Sequence, residues 1–499
     1  MASRQPCGGG RAELKRSQVL KTKMSSFLAL IVWLVLLVAL LRLDPARRAR
    51  PSIALWVPVI WIFIAGSRLP SQWLNGPVGD RSIQALEEGN PVDRVVYVIL
   101  IVLSIGILSS RAFKWGNFFA SNQALCGFVL FGLVSIFWSD FPFVTFKHWF
   151  RDLGNYLVIL VALSDANPLE AITTVIRRVC YLLIPLSVVL VKYFPQLGKQ
   201  YEEWSGAAMY TGATTSKNML GVMCLVGGLF FFWALLDHWP ERRGRGVKRI
   251  ILADAALLAM SLWLLIMSNS ATSRVCLVLG WLVIAAARSK MFRRRQALLK
   301  LLVPGFIIFS AVFYFGFDMN THLVAAVGRD ATFTGRTDIW NAVLSVHTNP
   351  LTGAGYESFW LGPRISQVWS QTGAGINEAH NGYLEIYLNL GLTGLFLLIW
   401  FLVASYRNIC AALRSPYSFS SLNLALWTIL LFYNITESAF KGQLMWMLFL
   451  SGAIMTPQVY ALARERRGWT ANSGRNAREA IAPAAMEQSV WHTSKLEVN

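Results

Sequence analysis

The stretch Glu378-Ala-His-Asn-Gly-Tyr-Leu-Glu-Ile-Tyr-Leu-Asn-Leu-Gly-Leu-Thr-Gly-Leu-Phe-Leu-Leu-Ile-Trp-Phe-Leu-Val403 joins two kinds of sequence. Its later part, 381–403, is an apolar run of the ~20-residue length that crosses a hydrocarbon core as a helix. Its first residues close a long polar interruption, 318–379. Comparable apolar runs lie at 51–66, 93–110, 119–138, 153–164, 174–194, 216–236, 250–268, 272–287, 299–317, 421–438 and 443–462. The chain of 499 residues is 55% hydrophobic and 14% charged, against about 25% charged in soluble domains. The expected fold is all-α: a polytopic membrane protein with about 12 transmembrane helices, a further hydrophobic segment at 26–43 and one large periplasmic loop. The organisation follows as a basic N-terminus (1–50), membrane helices (51–317), the loop (318–380), further membrane helices (381–463) and a polar tail (464–499) expected to be disordered and cytoplasmic.

The net charge of +20 reads as topology. Arg242, Arg243, Arg245, Lys248 and Arg249 fill one short loop, Arg288, Lys290, Arg293, Arg294 and Arg295 another, and Arg464, Arg466 and Arg467 follow the last span. Lys and Arg accumulate on the cytoplasmic side, and alternating spans then put 318–379 on the external side. That loop is close to neutral, which excludes nucleic acid as a partner. The N-terminus conflicts with the pattern, because basic groups flank 26–43 on both sides. This segment either crosses against the charge rule or lies half-inserted. The six cysteines are scattered and give no disulfide or metal framework.

Within the loop, Ile339, Val343 and Val346 repeat at helical spacing. Thr334 is the expected N-cap, and Asn349-Pro350 the stop. Arg336 then lies in a first helical turn, where free N–H groups and the helix dipole attract anions. Its guanidinium offers a two-pronged fork to phosphate oxygens; pairing with Asp330 or Asp338 on the surface is the equally weighted alternative. Glycines in Leu351-Thr-Gly-Ala-Gly-Tyr356 permit close approach of the backbone to a ligand. His380 is expected to open the helix 381–403, where the dipole favours a neutral ring able to accept a hydroxyl proton; the bland alternative is a hydrogen-bonded structural residue. Tyr383 continues its face, to stack on a sugar or to anchor the helix at the interface. Arg274, closing Ser268-Asn-Ser-Ala-Thr-Ser-Arg274, and Lys217-Asn218 fall on the same side. They serve either as snorkelling anchors or as phosphate contacts. No Asp-x-Asp pair, His-Glu-x-x-His or grouped external carboxylates are evident, so no metal site is expected.

Taken together these residues resemble the superfamily of O-antigen ligases and O-antigen or exopolysaccharide polymerases, bacterial membrane glycosyltransferases. His380-Asn381, followed after nine residues by Gly391-Leu-Thr-Gly394, is similar to its ligase-type signature. Gly335-Arg-Thr-Asp-Ile-Trp340 resembles the arginine–tryptophan helix at the start of its periplasmic loop, and Thr214-Thr-Ser-Lys-Asn218 and Ser270-Ala-Thr-Ser-Arg274 also look like family positions. The resemblance covers roughly 200–400. It implies inverting, metal-independent transfer, without a cofactor, of a glycan from undecaprenyl diphosphate to a hydroxyl acceptor, in the bacterial inner membrane. Arg336 and Arg274 would hold the diphosphate and His380 would act on the acceptor hydroxyl. Lys217, Asn218, Asn381 and Tyr383 would support substrate. Implied partners are the lipid-linked glycan, a chain-length regulator and a flippase. The loop motifs favour the polymerase branch, and the His-Asn…Gly-x-x-Gly spacing favours a ligase acting on a lipid A core. A transporter of polysaccharide or lipid-linked oligosaccharide is the rival of another class. It should show intramembrane charges or broken helices in matched halves, and few such charges are visible in the sequence.

Overall fold

A computed structural model describes residues 25–45, 52–75, 89–201, 206–289, 304–305, 336–373, 375–413 and 419–456. The basic residues before 25, nearly all of the expected span 299–317, the loop up to Gly335 (with the expected cap Thr334) and the tail 464–499 lie outside the described residues. What is described is almost wholly helical, with one two-stranded hairpin, Lys199–Tyr201 against Ala208–Tyr210. Eight of the described helices are long and apolar enough to cross a membrane. A ninth is counted if Trp115–Ser121 and Gln123–Trp138, which meet at 97°, form one broken span. The expected continuous span 119–138 is therefore interrupted, at Asn122, whose amide bonds the Phe118 and Met455 carbonyls.

Three of the described spans, Pro168–Tyr193, Lys217–His238 and Phe419–Thr436, are mostly buried by protein. They form the centre against which the lipid-facing helices pack. The segment 26–43 is a full helix, Ser26–Leu43, capped by the Ser25 side chain on the Leu28 N–H. Ser26 Oγ donates to the Tyr193 carbonyl, and Asp44 pairs with Arg178 at 3.1 Å. The helix therefore runs antiparallel to Pro168–Tyr193 over its whole depth. Tyr193 leads into the hairpin on the face opposite the basic loops, called the outer face here. The chain thus enters Ser26–Leu43 from the outer face, against the charge rule. Asp44 supplies a reason: Arg178 is buried, and a buried ion stripped of its partner costs about 3–5 kcal/mol.

Among the described residues, two ionic groups lie within the spans toward the inner face. Besides Arg178–Asp44, Arg177 pairs with Asp254, whose other oxygen lies 3.3 Å from His238 Nδ1. The expectation of few intramembrane charges is corrected on this point. Each of these charges is paired, as the low dielectric requires.

The polar loop folds into a small unit with its own core. Ala342, Val343, Val346, Phe359, Trp360, Ile365 and Val368 pack together with Ala379 and Leu388. Arg336–Ser345 is the expected helix, with Val343 and Val346 inward. Gly362–Thr372 is a second helix that the apolar spacing did not reveal. The unit docks into a break in the long helix Gly382–Ala412. At Gly391 the backbone leaves the helical region, with φ of 64°. Freed backbone groups on either side bond the loop instead: Ala354 and Gly355 N–H donate to the Leu388 and Asn389 carbonyls, and Leu392 and Thr393 N–H to those of Pro350 and Leu351. A Cβ at Gly391 would stand 2.3 Å from the Leu351 carbonyl carbon. The Leu351–Gly355 glycine motif thus serves approach to another stretch of backbone, not to a ligand as expected from the sequence.

The direction of Ser26–Leu43 can be tested by labelling. In a Cys7→Ser background, a Ser25→Cys variant should react with an impermeant maleimide added to intact spheroplasts. An Ile53→Cys variant, exposed at the inner face, should react only after permeabilisation. The reverse pattern would contradict the crossing described.

Candidate functional site

The site begins with backbone geometry. The helix Gly382–Ala412 starts one residue later than its sequence implies, with Asn381 as its cap: Asn381 Oδ1 accepts from the Tyr383 and Leu384 N–H groups. His380 therefore precedes the helix, in the left-handed region at φ of 50°. That conformation is uncommon for a residue with a Cβ and is held from three sides. The Ala379 N–H donates to Glu385 Oε2, the Ala379 carbonyl accepts from the Trp340 indole, and the Gly382 N–H donates to the Glu437 carbonyl. Gly382 is needed for that last approach, because a Cβ there would lie 1.9 Å from Asn434 Oδ1.

This turn brings His380 against the end of the helix Phe419–Thr436. Glu437, the next residue, is buried and shared. Its Oε1 accepts from Arg336 Nη2 at 2.9 Å and from Asn218 Nδ2 at 3.0 Å. Its Oε2 lies 3.6 Å from His380 Nδ1, and Glu378 Oε1 lies 3.2 Å from the same nitrogen. The buried ring nitrogen meets neither carboxylate at hydrogen-bonding angles, so both contacts are ion pairs. Arg336 and Trp340, four residues apart on one helical face, thus tie the loop helix to both sides of the cluster.

Burial disfavours charge on His380, but its contacts with Glu378 and Glu437 outweigh it and raise the ring to about 9. The same balance runs the other way at Glu378. Burial pushes its carboxyl up, yet His380, Lys441 and Arg336 hold it below the usual carboxylate range. The ring is therefore an imidazolium at neutral pH. This corrects the expectation of a neutral, proton-accepting histidine, which rested on a helix dipole that His380 does not sit in.

A second set of charges supports the first. Glu385 accepts from the Trp360 indole at 2.6 Å and lies 3.7 Å from Lys441 Nζ, which also faces Glu357 at 3.9 Å. Burial opposes the Lys441 charge, and the neighbouring Glu357 and Glu385 overcome it and raise the ammonium. Glu385 thus fixes the Ala379–His380 turn from below. Lys441, Glu385, Glu357 and Tyr356 line a cavity of about 20 Å³ beside it.

The structure brings together Arg336, His380 and Asn218, and leaves other expected residues apart. Arg274 is exposed and donates to Asn269 Oδ1. Its helix meets the end of the Glu437-bearing helix through Thr272, whose hydroxyl lies against that of Thr436, the neighbour of Glu437. Lys217 starts the helix that carries Asn218 and is half-buried. Asn381 is a helix cap, and Tyr383 is held in the protein, its hydroxyl on the Leu431 carbonyl and its ring edge-on to Phe440. Glu437, Glu385 and Lys441 were not singled out in the sequence. The signal for Glu437 and Lys441 was the polar Thr436-Glu-Ser-Ala-Phe-Lys441 between two apolar runs, on the outer face by alternation.

Glu378, His380 and Glu437 offer ligand atoms all within 4.8 Å of one another. External acidic groups are thus clustered after all, through folding rather than spacing. Within this set Glu437 Oε1 is already held by Arg336 and Asn218, so a guanidinium competes with any metal ion for that carboxylate.

Residues 255–399 match the family described as O-antigen ligase. Over 305 residues the chain is 28% identical to the exopolysaccharide production protein ExoQ of Rhizobium meliloti (strain 1021), covering 58% of this chain and 66%, just under two thirds, of that protein. Arg274, Arg336 and His380 fall inside the family match; Asn218 and Glu437 fall outside it. Over the stretch that carries Arg274, Arg336 and His380, these matches make the chain similar to O-antigen ligase and exopolysaccharide production proteins.

Proposed function

We propose that this protein transfers a glycan from undecaprenyl diphosphate to a hydroxyl acceptor at the outer face of the bacterial inner membrane, polymerising exopolysaccharide or O-antigen repeat units. The observation that carries the reading is the convergence of Arg336, His380 and Asn218 on one buried carboxylate, Glu437, beneath a loop docked on membrane helices. Donors that hold a carboxylate at 2.9–3.0 Å suit a phosphate oxygen equally well. Here the guanidinium and the imidazolium would meet the charge that gathers on the diphosphate as the glycosidic bond breaks. Fixed cations in a site shielded from water stabilise such a leaving group without rearranging. Inversion follows from attack on the face opposite the diphosphate. Arg274 and Lys217, at the mouth, would guide the anionic headgroup. Asn381 and Tyr383 would act by holding the His380 turn in shape. Neutralisation comes from Arg336 and His380, so no metal or other cofactor is invoked. The name of the Rhizobium relative, an exopolysaccharide production protein, favours exopolysaccharide as the product; a chain-length regulator and a flippase would be the partners.

The second reading is transfer to a lipid A core, favoured by the family description of residues 255–399. Purified protein given lipid-linked repeats alone separates the two. A ladder of lengths means a polymerase, and product only after a lipid core is added means a ligase.

Arg336→Ala and His380→Ala should each lower product formation per molecule of folded protein about 10²-fold or more, the usual cost of one transition-state donor. Arg336→Lys should be impaired too, lacking the fork. Wild-type output from the alanine variants would overturn the reading. EDTA should leave turnover intact, and a loss restored by Mg²⁺ would contradict the metal-independent mechanism.

The pH dependence has a definite sign. His380 holds its proton more tightly when folded, at about 9 against 6.5 for the free side chain. Its ion pairs therefore contribute fully below 6.5 and are lost as pH rises through about 9. Turnover and melting temperature should both fall between pH 7.5 and 9.5, and His380→Gln should remove that alkaline drop in stability. A flat profile in the wild type would contradict the assigned charge.

A further inference from the structure

We propose that Glu437 takes the acceptor's proton, and that arrival of the lipid diphosphate frees it to do so. This rests on the glycosyl-transfer reading above. Glu437 Oε1 now occupies the position a phosphate oxygen would take, on the Arg336 and Asn218 donors. A diphosphate binding those donors must displace it from them. The side chain is 8% exposed, so the displaced carboxylate is not simply released to water. It stays beside His380, next to the donors it has given up to the diphosphate.

Glu378 is placed differently. It stands closest to the ring, 3.2 Å from Nδ1, and continues as its counter-ion. The imidazolium cannot accept a further proton. Of the three titratable groups in the cluster, Glu437 alone loses partners when the donor binds. The charges point the same way. Before loading, Arg336 and His380 balance Glu378 and Glu437. A diphosphate adds negative charge beside Glu437, and two anions sharing a site are relieved when one takes a proton.

In the step itself, the acceptor O–H proton moves to Glu437 and the acceptor oxygen bonds to the anomeric carbon. The anomeric carbon–oxygen bond to the diphosphate breaks on the opposite face, and its electron pair leaves with the lipid carrier. Arg336, Asn218 and His380 receive that charge. When the carrier departs, Glu437 gives its proton to solvent and recovers Arg336.

The test is Glu437→Gln in the full-length protein, with a polyprenyl-diphosphate-linked glycan as donor and free undecaprenyl diphosphate as the binding probe. The expected result is a kcat lowered about 10²-fold or more, within the range for a lost general base, with carrier Kd unchanged or lower. The amide no longer competes as an anion for Arg336. A wild-type kcat would overturn the proposal, as would weaker carrier binding, which marks a purely structural support. Should Glu437→Gln fail to fold, Glu437→Asp decides: a lower kcat with carrier Kd kept supports the role, and an unchanged kcat overturns it. Failure of the glycosyl-transfer reading shows separately, as wild-type product from Arg336→Ala.

Discussion

The Glu437 carboxylate is the point on which the outer half of this protein depends. Four segments far apart in sequence reach it: Asn218 at a helix start, Arg336 on the loop helix, His380 on a strained turn and the Phe419–Thr436 helix end that carries Glu437 itself. Removing one partner from such a buried pair costs about 3–5 kcal/mol, because the other charge is left unsatisfied in a poor solvent. The loop is thereby clamped over the membrane helices by the same charges that would bind an anion.

The clamp works because its supports are rigid. Breaking a membrane helix at Gly391 exposes backbone groups at a depth where they must be paired, and the loop segment Pro350–Gly355 pairs them. Gly382 lets the His380 turn approach the neighbouring helix closely enough to bond the Glu437 backbone. Glu385, anchored by the Trp360 indole and Lys441, fixes the Ala379 N–H and hence the direction in which His380 points. On the inner side, Arg177–Asp254 and Arg178–Asp44 bind the central helices in the same manner, buried charges held in pairs.

Much of the membrane architecture was legible in the sequence because hydrocarbon demands long apolar runs and cytoplasmic loops gather arginine. Arg336 and His380 were legible as well, being polar residues at the edges of such runs. What sequence could not supply was pairing across distance. Glu437 lies about sixty residues beyond His380 and reads on its own as the polar end of a span; only folding turns it into the hub. The neutral histidine was misjudged for the same reason, since its charge comes from Glu378 and Glu437 rather than from the following helix. Tyr383 shared a face with His380 in the helical register and Asn381 followed it in the signature, but the first is locked to the Leu431 carbonyl and the second caps the helix. The direction of Ser26–Leu43 turned on one buried pair, Asp44 with Arg178, that charge counting alone does not weigh.

The central claim is that a lipid-borne diphosphate replaces Glu437 on its donors. An experimental structure with undecaprenyl diphosphate bound tests it most directly. The account predicts phosphate oxygens within hydrogen-bond reach of Arg336, Asn218 and His380, and a parted Arg336–Glu437 pair. A bound diphosphate elsewhere, with that pair intact at its present 2.9 Å, would contradict it.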